Sequence, residues 1–244
     1  VLPYLPDPVE EWHGLNTAAL RPLLASGVTL LVTVDCGSTA TDEINFAAEL
    51  GIDVIVTDHH EVSSGVAGAL AVVNPKLGDN QDLHMLAGVG VAFKLCHALI
   101  KAGREDGRKQ AEVMDLRKYL YLVSMGTIAD MVPLVKENRI LARAGLASMN
   151  RHRPIGIQAL SKVARIDEEI TTYHIGFQIG PRINAAGRMS KSDRALACLI
   201  ESAPKQALVI ARDLDAANDE RKQIGLEIAV AALEEIEASF DATD

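Results

Sequence analysis

Three short runs of apolar and β-branched residues lie in the first third of the chain, at residues 28–35, 52–58 and 69–74. Their continuous apolar character predicts strands that are buried on both faces, as parallel strands are. Between the first two runs, residues 42–50 have the spacing of an amphipathic helix and stop at Gly51, a typical helix end. A strand, a helix and a strand in this order predict a parallel sheet covered by helices.

The pattern changes after Asp82, and the second half of the chain is predicted to be mostly helical. Helical spacing recurs at residues 83–102, 110–125, 136–150 and 154–164, and a longer helical pattern covers residues 204–239. Because this last segment is too long and too charged for a core helix, we expect it to connect to another domain. The predicted fold class is α/β, with a parallel sheet flanked by helices, a helical second half and a long C-terminal connecting helix.

Composition excludes several classes of protein. Hydrophobic residues make up 48% of the 244 positions, enough for a sizeable core and too many for a disordered chain. Cys36, Cys96 and Cys198 have no CxxC spacing, which argues against disulfides and cysteine zinc sites and favours a reducing, cytoplasmic location. No apolar run reaches the ~18 residues of a membrane span.

The net charge of −9 by itself argues against nucleic acid as a partner, but the charge is unevenly distributed. Residues 213–244 carry 10 acidic and 2 basic side chains, whereas residues 139–194 carry 10 basic and 4 acidic side chains. The acidity is therefore concentrated in the C-terminal tail, and the basic middle segment favours a polyanionic partner.

Candidate metal ligands follow the first two predicted strands. Asp35 ends the first strand, and Asp58, His59 and His60 end the second. Because ligands bind beyond the carboxyl ends of parallel strands, these side chains are expected at one edge of the sheet. Carboxylates with imidazoles suit Mn²⁺ or Mg²⁺. The alternative is that Asp35 caps the next helix and the histidines are ordinary loop residues.

Two further segments carry candidate chemistry. Asp130 lies in the string GTIADMVPL, in a predicted turn, where a lone aspartate is usually a local hydrogen-bonding residue. The string GPRINAAGRM contains Arg182, Asn184 and Arg188, and its glycines permit a close approach of the backbone. Its arginines are suited to phosphate oxygens. A basic surface turn is the alternative interpretation.

The triplet Asp58-His59-His60 after an apolar strand resembles the DHH phosphoesterase superfamily. Together with TVDCG at 33–37, GTIADMVPL, GPRINAAGRM and YLPDPVEEWHGLN at 4–16, it is similar to the bacterial single-strand-specific 5′-to-3′ exonucleases of that superfamily. The resemblance covers nearly the whole chain. It implies a DHH phosphoesterase domain at residues 1–200 and a long interdomain helix at residues 201–244 that leads to a DHHA1 domain.

The resemblance also implies a two-metal phosphodiesterase acting on single-stranded DNA in repair and recombination, using Mn²⁺ or Mg²⁺. Asp35, His59 and Asp130 would be metal ligands, His60 would contact the scissile phosphate, and Asp58 would orient a histidine. Three further residues would hold the substrate: Arg182, Asn184 and Arg188. Implied protein partners are a single-strand-binding protein and a repair helicase.

Two expected parts of this family are not matched. An Asp-x-Asp motif that supplies further ligands should precede Val1, and the DHHA1 domain should follow the long helix. We therefore expect a part of a longer protein that binds metal weakly and is inactive or nearly so.

Three alternatives to the exonuclease remain open. The first is another DHH phosphoesterase, acting on short oligonucleotides, cyclic dinucleotides or pyrophosphate. The second is a non-catalytic DHH scaffold. The third, a generic nucleotide-binding α/β domain, is disfavoured because no GxGxxG run follows the first strand.

Overall fold

The chain folds into two compact units. The computed structural model describes residues 1–6, 14–62, 68–188 and 192–239, without the side chains of residues 186–188, 192, 238 and 239. One unit comprises Val1–Arg153 and Glu169–Gly176, and the other comprises Pro154–Glu168 and Phe177–Asp244.

Helices dominate the described residues. In chain order they are α1 (Thr17–Ala25), α2 (Thr41–Glu49), α3 (Gly88–Glu105), α4 (Lys109–Val113), α5 (Leu120–Ala129), α6 (Lys136–Arg151), α7 (Ile155–Val163), α8 (Thr172–His174), α9 (Gly180–Arg188), α10 (Ser192–Ile200) and α11 (Pro204–Ser239). Short 3₁₀ segments span Pro75–Leu77, Gln81–Leu83 and Leu116–Tyr119, and a π-helical turn, Ile175–Ile179, precedes α9. None of the helices in the described ranges is both long and apolar enough to cross a bilayer.

The sheet has three parallel strands, as predicted. They are β1 (Leu30–Val34), β2 (Asp53–Thr57) and β3 (Ala71–Val73), in the order β1-β2-β3. The expected burial on both faces is wrong for β1, because Leu30, Val32 and Val34 are exposed on one face. Val34 pairs with Thr57, and Thr57 pairs with Val73. The three strands therefore end at the same edge, and the residues that follow them are neighbours.

One face of the sheet forms the core of the first unit. Helix α2 connects β1 to β2, and its Ile44 and Ala47 are fully buried in a cluster with Val54 and Val56 of β2. Helix α1 adds Leu20 to the same cluster. The sequence analysis did not predict α1, although Asn16 caps it by accepting a hydrogen bond from the Ala19 N–H at 2.8 Å.

The predicted helix over 110–125 is wrong in its boundaries. Helix α4 ends at Val113, Met114 is extended, and α5 begins at Leu120 after a 3₁₀ turn. The Asp115 side chain accepts a hydrogen bond from the Arg117 N–H at 3.1 Å and so starts that turn. A side chain that bonds to a nearby backbone N–H offers the backbone an alternative to the hydrogen bonds of a continuous helix.

Helices α5 and α6 pack very closely, and this contact fixes the end of α5. A Cβ on Gly145 of α6 would overlap the Leu120 carbonyl oxygen and the Ser124 side chain of α5. The buried Ser124 hydroxyl donates to the Ala142 carbonyl at 2.9 Å. Because α5 is held in this way, the residue that follows it, Asp130, has a defined position.

The second unit contains α7, α9, α10 and α11. Helix α11 confirms the long helix predicted over 204–239. Its first half buries Ala207, Ile210, Ala211 and Leu214, whereas residues 222–237 are exposed.

Candidate metal centre

The aspartates that follow β1 and β2 lie side by side at the end of the sheet. The Asp35 N–H donates to the Thr57 carbonyl at 2.9 Å, and the Asp58 N–H donates to the Val73 carbonyl at 3.1 Å. Both residues thus continue the sheet hydrogen bonding by one position. The sequence placed them at this edge, and the structure brings them together there.

Asp35 has an unusual backbone conformation. Its φ of 64° is in the left-handed region, which few residues other than glycine adopt. Its carboxylate lies against Gly88, the first residue of α3, where a Cβ would overlap the Asp35 side chain. The carboxylate is 52% exposed, so it is positioned by the protein and open to solvent.

His59 lies between two carboxylates. Its Nε2 atom is 3.0 Å from Asp35 Oδ1 and 3.6 Å from Asp130 Oδ2, and its side chain is only 13% exposed. Asp130 directly follows α5 as its C-terminal cap. His59 Nε2 is buried and makes no hydrogen bond within the described residues, so it is a nitrogen that lacks a well-aligned partner.

His60 is oriented by Asp58. Its Nδ1 atom is 2.7 Å from Asp58 Oδ1, which leaves Nε2 directed away from this contact. Asp58 is 2% exposed and accepts N–H hydrogen bonds from Ser38 at 2.9 Å and His59 at 2.7 Å. Burial acts to raise the pKa of Asp58, but the hydrogen bonds from Ser38, His60 and His59 outweigh it and lower this pKa to about 2.

Two supporting residues were missed by the sequence analysis. The Asn74 side-chain amide donates to the Ser38 hydroxyl at 2.8 Å and to the His60 carbonyl at 3.0 Å. It therefore links the loops after β1 and β2. Asn74 directly follows β3, so the strand-end argument that identified Asp35 and Asp58 would also have identified it.

Two groups at this site, His59 and Cys36, have pKa values that are shifted by their surroundings. Contact with the Asp35 carboxylate raises the pKa of His59 against the opposing effect of burial, and Asp130 and Asp58 act in the same direction as Asp35. Burial, reinforced by Asp58 and Asp35, raises the pKa of the Cys36 thiol to about 11. Cys36 is therefore a neutral thiol at neutral pH and a poor metal ligand.

The donors at this edge fit a divalent cation. Ligand atoms of Asp35, His59 and His60 lie within 4.8 Å of one another. Asp130 adds a second carboxylate beside His59. A buried imidazole nitrogen that faces two carboxylates suits Mn²⁺, and the carboxylate oxygens also suit Mg²⁺.

The candidate phosphate-binding residues belong to the second unit. Arg182 and Asn184 lie on α9, and Arg188 ends it with a side chain outside the described part. The sequence did not indicate a helix here, because Gly180 and Pro181 are typical of turns. However, proline also suits the first turn of a helix.

Arg182 is already held by neighbouring groups. Its Nε and Nη2 atoms are each 2.8 Å from Asp215 Oδ1 on α11, and Nη1 donates to the Gln178 carbonyl at 2.8 Å. The guanidinium has five N–H groups, so two remain for another partner. Asn184 is exposed on the same helix.

Known proteins are similar to this chain in sequence. The model of the DHH family, N-terminal domain, matches residues 1–127. The single-stranded-DNA-specific exonuclease RecJ of Bacillus subtilis is 39% identical over 236 residues, which cover 96% of this chain and 28% of that protein. This chain therefore spans less than a third of that relative.

Solved structures show the same fold with metal bound. A crystal structure of exonuclease RecJ bound to manganese superimposes with a TM-score of 0.84 at 30% identity, covering 96% of this chain and 57% of the other. A crystal structure of RecJ in complex with Mg²⁺ from Thermus thermophilus matches with a TM-score of 0.60 at 26% identity, covering 92% and 36%.

Proposed function

The chain belongs to the DHH family, and from this premise we propose that it is the core of a metal-dependent 5′-to-3′ single-stranded-DNA exonuclease. The proposed reaction is hydrolysis of phosphodiester bonds in DNA repair and recombination. The observation that carries it is the buried His59 Nε2, which faces Asp35 and Asp130 and makes no hydrogen bond in the described chain. The likeness to RecJ exonucleases supports the substrate class.

Asp35, His59 and Asp130 are the proposed metal ligands. Divalent cations bound there supply an activated water and stabilise the charge of the attacking and leaving oxygens. The chain's own contribution is to fix these side chains before substrate arrives. Asp35 is held by the sheet hydrogen bond to Thr57 and by contact with Gly88, and Asp130 is held by the end of α5.

His60 is the proposed contact to the scissile phosphate, and Asp58 is its positioning residue. Asp58 is buried and carries a pKa of about 2, so it is ionised at neutral pH and keeps the proton of His60 on Nδ1. His60 then presents Nε2 outward on a side chain that is 61% exposed. Arg182, with Asn184 and Arg188, is proposed to hold the substrate backbone.

The proposal extends to the domain organisation, the cellular location and the partners. Residues 1–200 would form the DHH domain, and residues 201–244 the interdomain helix that leads to a DHHA1 domain. The continuous helix α11 supports the second assignment. The proposed location is the cytoplasm, and the proposed partners are single-stranded DNA, a single-strand-binding protein and a repair helicase.

The proposal is tested by metal and DNA binding, because these two measurements report directly on the metal centre and on the substrate class. Mn²⁺ affinity is measured by electron paramagnetic resonance. DNA affinity is then compared with and without Mn²⁺ for a 5′-phosphorylated single strand, the corresponding duplex and a dinucleotide. We expect Mn²⁺ to bind, and to strengthen binding of the single strand more than of the other two.

Asp35→Asn should weaken Mn²⁺ binding at least ~10-fold, since it removes a charged ligand. The matched control is Asp53→Asn, which changes an exposed aspartate at the opposite end of β2 and should leave the affinity unchanged. Preference for the dinucleotide would favour a phosphoesterase of short substrates instead. Equal Mn²⁺ binding by both variants would contradict the metal centre.

A further inference from the structure

One exposed face of α6 carries a row of basic side chains. Lys136, Arg139, Arg143 and Arg151 follow one another at intervals of three, four and eight residues, which places them on one side of the helix. All four are exposed. At 1.5 Å per residue, the row from Arg139 to Arg151 extends over roughly 18 Å. We call these four residues the α6 basic ridge.

The charges of this ridge are largely uncompensated. Within the described ranges, no ion pair involves Arg139, Arg143 or Arg151. Lys136 Nζ is 3.3 Å from Asp82 Oδ1, but both side chains are more than 60% exposed, so this pair is weak.

Lys94, another cation of the same unit, pairs with Glu137, the carboxylate of α6 itself. Lys101 and Lys109 are exposed, but they lie on two different helices. The ridge differs from these cations because its members form one row on one helix face.

Apolar side chains join the ridge to the metal centre along the chain. Met131 directly follows Asp130 and is 87% exposed, and Val135 directly precedes α6 and is 46% exposed. Ile140 lies within the ridge and is 66% exposed. Cations mixed with exposed apolar side chains suit a single strand, whose phosphates and unstacked bases are both accessible.

We propose that the α6 basic ridge binds the sugar–phosphate backbone of single-stranded DNA away from the bond that is cut. This inference rests on the proposed function and adds a second contact region to it. An acidic protein would meet the same charges, but the short connection from Asp130 to α6, in which Met131, Val135 and Lys136 are exposed, favours the strand that occupies the metal centre. Such contacts are independent of base sequence and weaken steeply with salt.

The test is binding of a fluorescent 30-nucleotide single strand by anisotropy in EDTA, where the metal centre does not contribute. The double variant Arg139→Ala/Arg143→Ala is compared with Lys101→Ala/Lys109→Ala, an equal charge change at exposed positions of α3 and α4. We expect the ridge variant to bind ~10-fold more weakly and its salt slope to fall by ~1.4, for two lost phosphate contacts. The control should stay within about twofold of the unmodified chain.

Three results would overturn the proposal for the ridge. The first is equal weakening in both double variants, since this would mean a general charge effect. The second is absence of metal-free binding to the single strand. The third is displacement by polyglutamate as readily as by DNA, since this would indicate an acidic protein partner. Mn²⁺-dependent binding lost in Asp35→Asn tests the proposed function separately, because the ridge does not include that residue.

Discussion

The Asp35 carboxylate illustrates how single residues determine the metal centre. A non-glycine residue with positive φ costs about 1 kcal/mol or more, so its surroundings must hold it in place. The hydrogen bond from its N–H to Thr57 anchors the backbone, and Gly88 leaves space for the side chain. The position of this proposed ligand therefore depends on a glycine distant in sequence.

Gly88→Ala should weaken Mn²⁺ binding without unfolding the protein. The new Cβ overlaps the Asp35 side chain, which can rotate away and thereby leaves its position beside His59. We expect a loss of ~10-fold in Mn²⁺ affinity, the usual effect of a supporting residue on a metal site. Electron paramagnetic resonance and thermal unfolding measure the two effects.

Gly225→Ala is the matched control for this change. Gly225 lies in α11 with open space around its Cβ position, so its replacement should leave Mn²⁺ affinity unchanged. Unaltered Mn²⁺ affinity in Gly88→Ala would show that the Asp35 side chain does not need this space.

The pair formed by Arg182 and Asp215 should stabilise the second unit. Arg182 is 12% exposed and Asp215 is 31% exposed, so removing the carboxylate leaves a mostly buried cation with fewer partners. We expect Asp215→Ala to lower the free energy of unfolding by about 2 kcal/mol in urea denaturation.

Asp213→Ala provides the comparison on the same helix. Asp213 Oδ2 is 3.2 Å from Arg194 Nη1, with both side chains well exposed, so we expect a loss of at most about 0.5 kcal/mol. Equal losses in the two variants would contradict the structural role of the Arg182 contact.

The sequence identified the metal-centre candidates because they follow strands directly. Asp35 and Asp58 are adjacent in space for a reason visible in the pattern: parallel strands end at one edge. Gly88 and Ser38 could not be found in this way, because their roles depend on which loop and helix pack against those strand ends. Asp130 was found by resemblance, and its approach to His59 depends on the packing of α5.

At the scale of elements, the contact between α5 and α6 is the tightest helix packing that positions the site. Gly145 allows the two backbones to approach, and the Ser124 hydroxyl binds the facing helix. Because Asp130 directly follows α5, a shift of this helix would move a carboxylate away from His59.

Gly145→Ala should therefore destabilise the first unit. Its Cβ would overlap the Leu120 carbonyl, a backbone atom that cannot rotate away. Overpacking of this kind costs about 2 kcal/mol, measurable by urea denaturation. In contrast, Gly225→Ala on α11 should stabilise by up to about 1 kcal/mol, because alanine favours a helix and meets no neighbour there. A stabilised Gly145→Ala variant would mean that the two helices separate easily.

The elements that the sequence predicted well are those with a simple period. The three strands and α11 agree with their predicted ranges, since a continuous apolar run and a long helical pattern leave few alternatives. The segment at 110–125 was misjudged because Asp115 interrupts a helical pattern through one local hydrogen bond. Helix α9 was missed because its first residues are Gly180 and Pro181.

At the scale of the whole molecule, the net charge of −9 is a poor guide to partners. Eight acidic side chains lie along α11, whereas α6 presents uncompensated arginines. The charged side chains have to be assigned to particular surfaces before the charge of a protein indicates its ligand.

Mn²⁺ should stabilise one of the two units selectively. A ligand that binds the folded state adds about 2.7 kcal/mol at 100 times its Kd. We therefore expect slower amide hydrogen exchange at the ends of β1, β2 and α5, with little change in α9, α10 and α11. Mass spectrometry of exchanged peptides measures this pattern, and protection centred on α11 instead would place the cation elsewhere.

Asp35 and His59 come from the first quarter of the chain, whereas Asp130 lies just past its middle. During synthesis on the ribosome, the sheet can therefore be completed while the third proposed ligand is still unmade. The nascent chain passes through a stage that has a formed sheet and only part of the proposed ligand set. These three side chains can come together only after α5 has emerged and packed against α6.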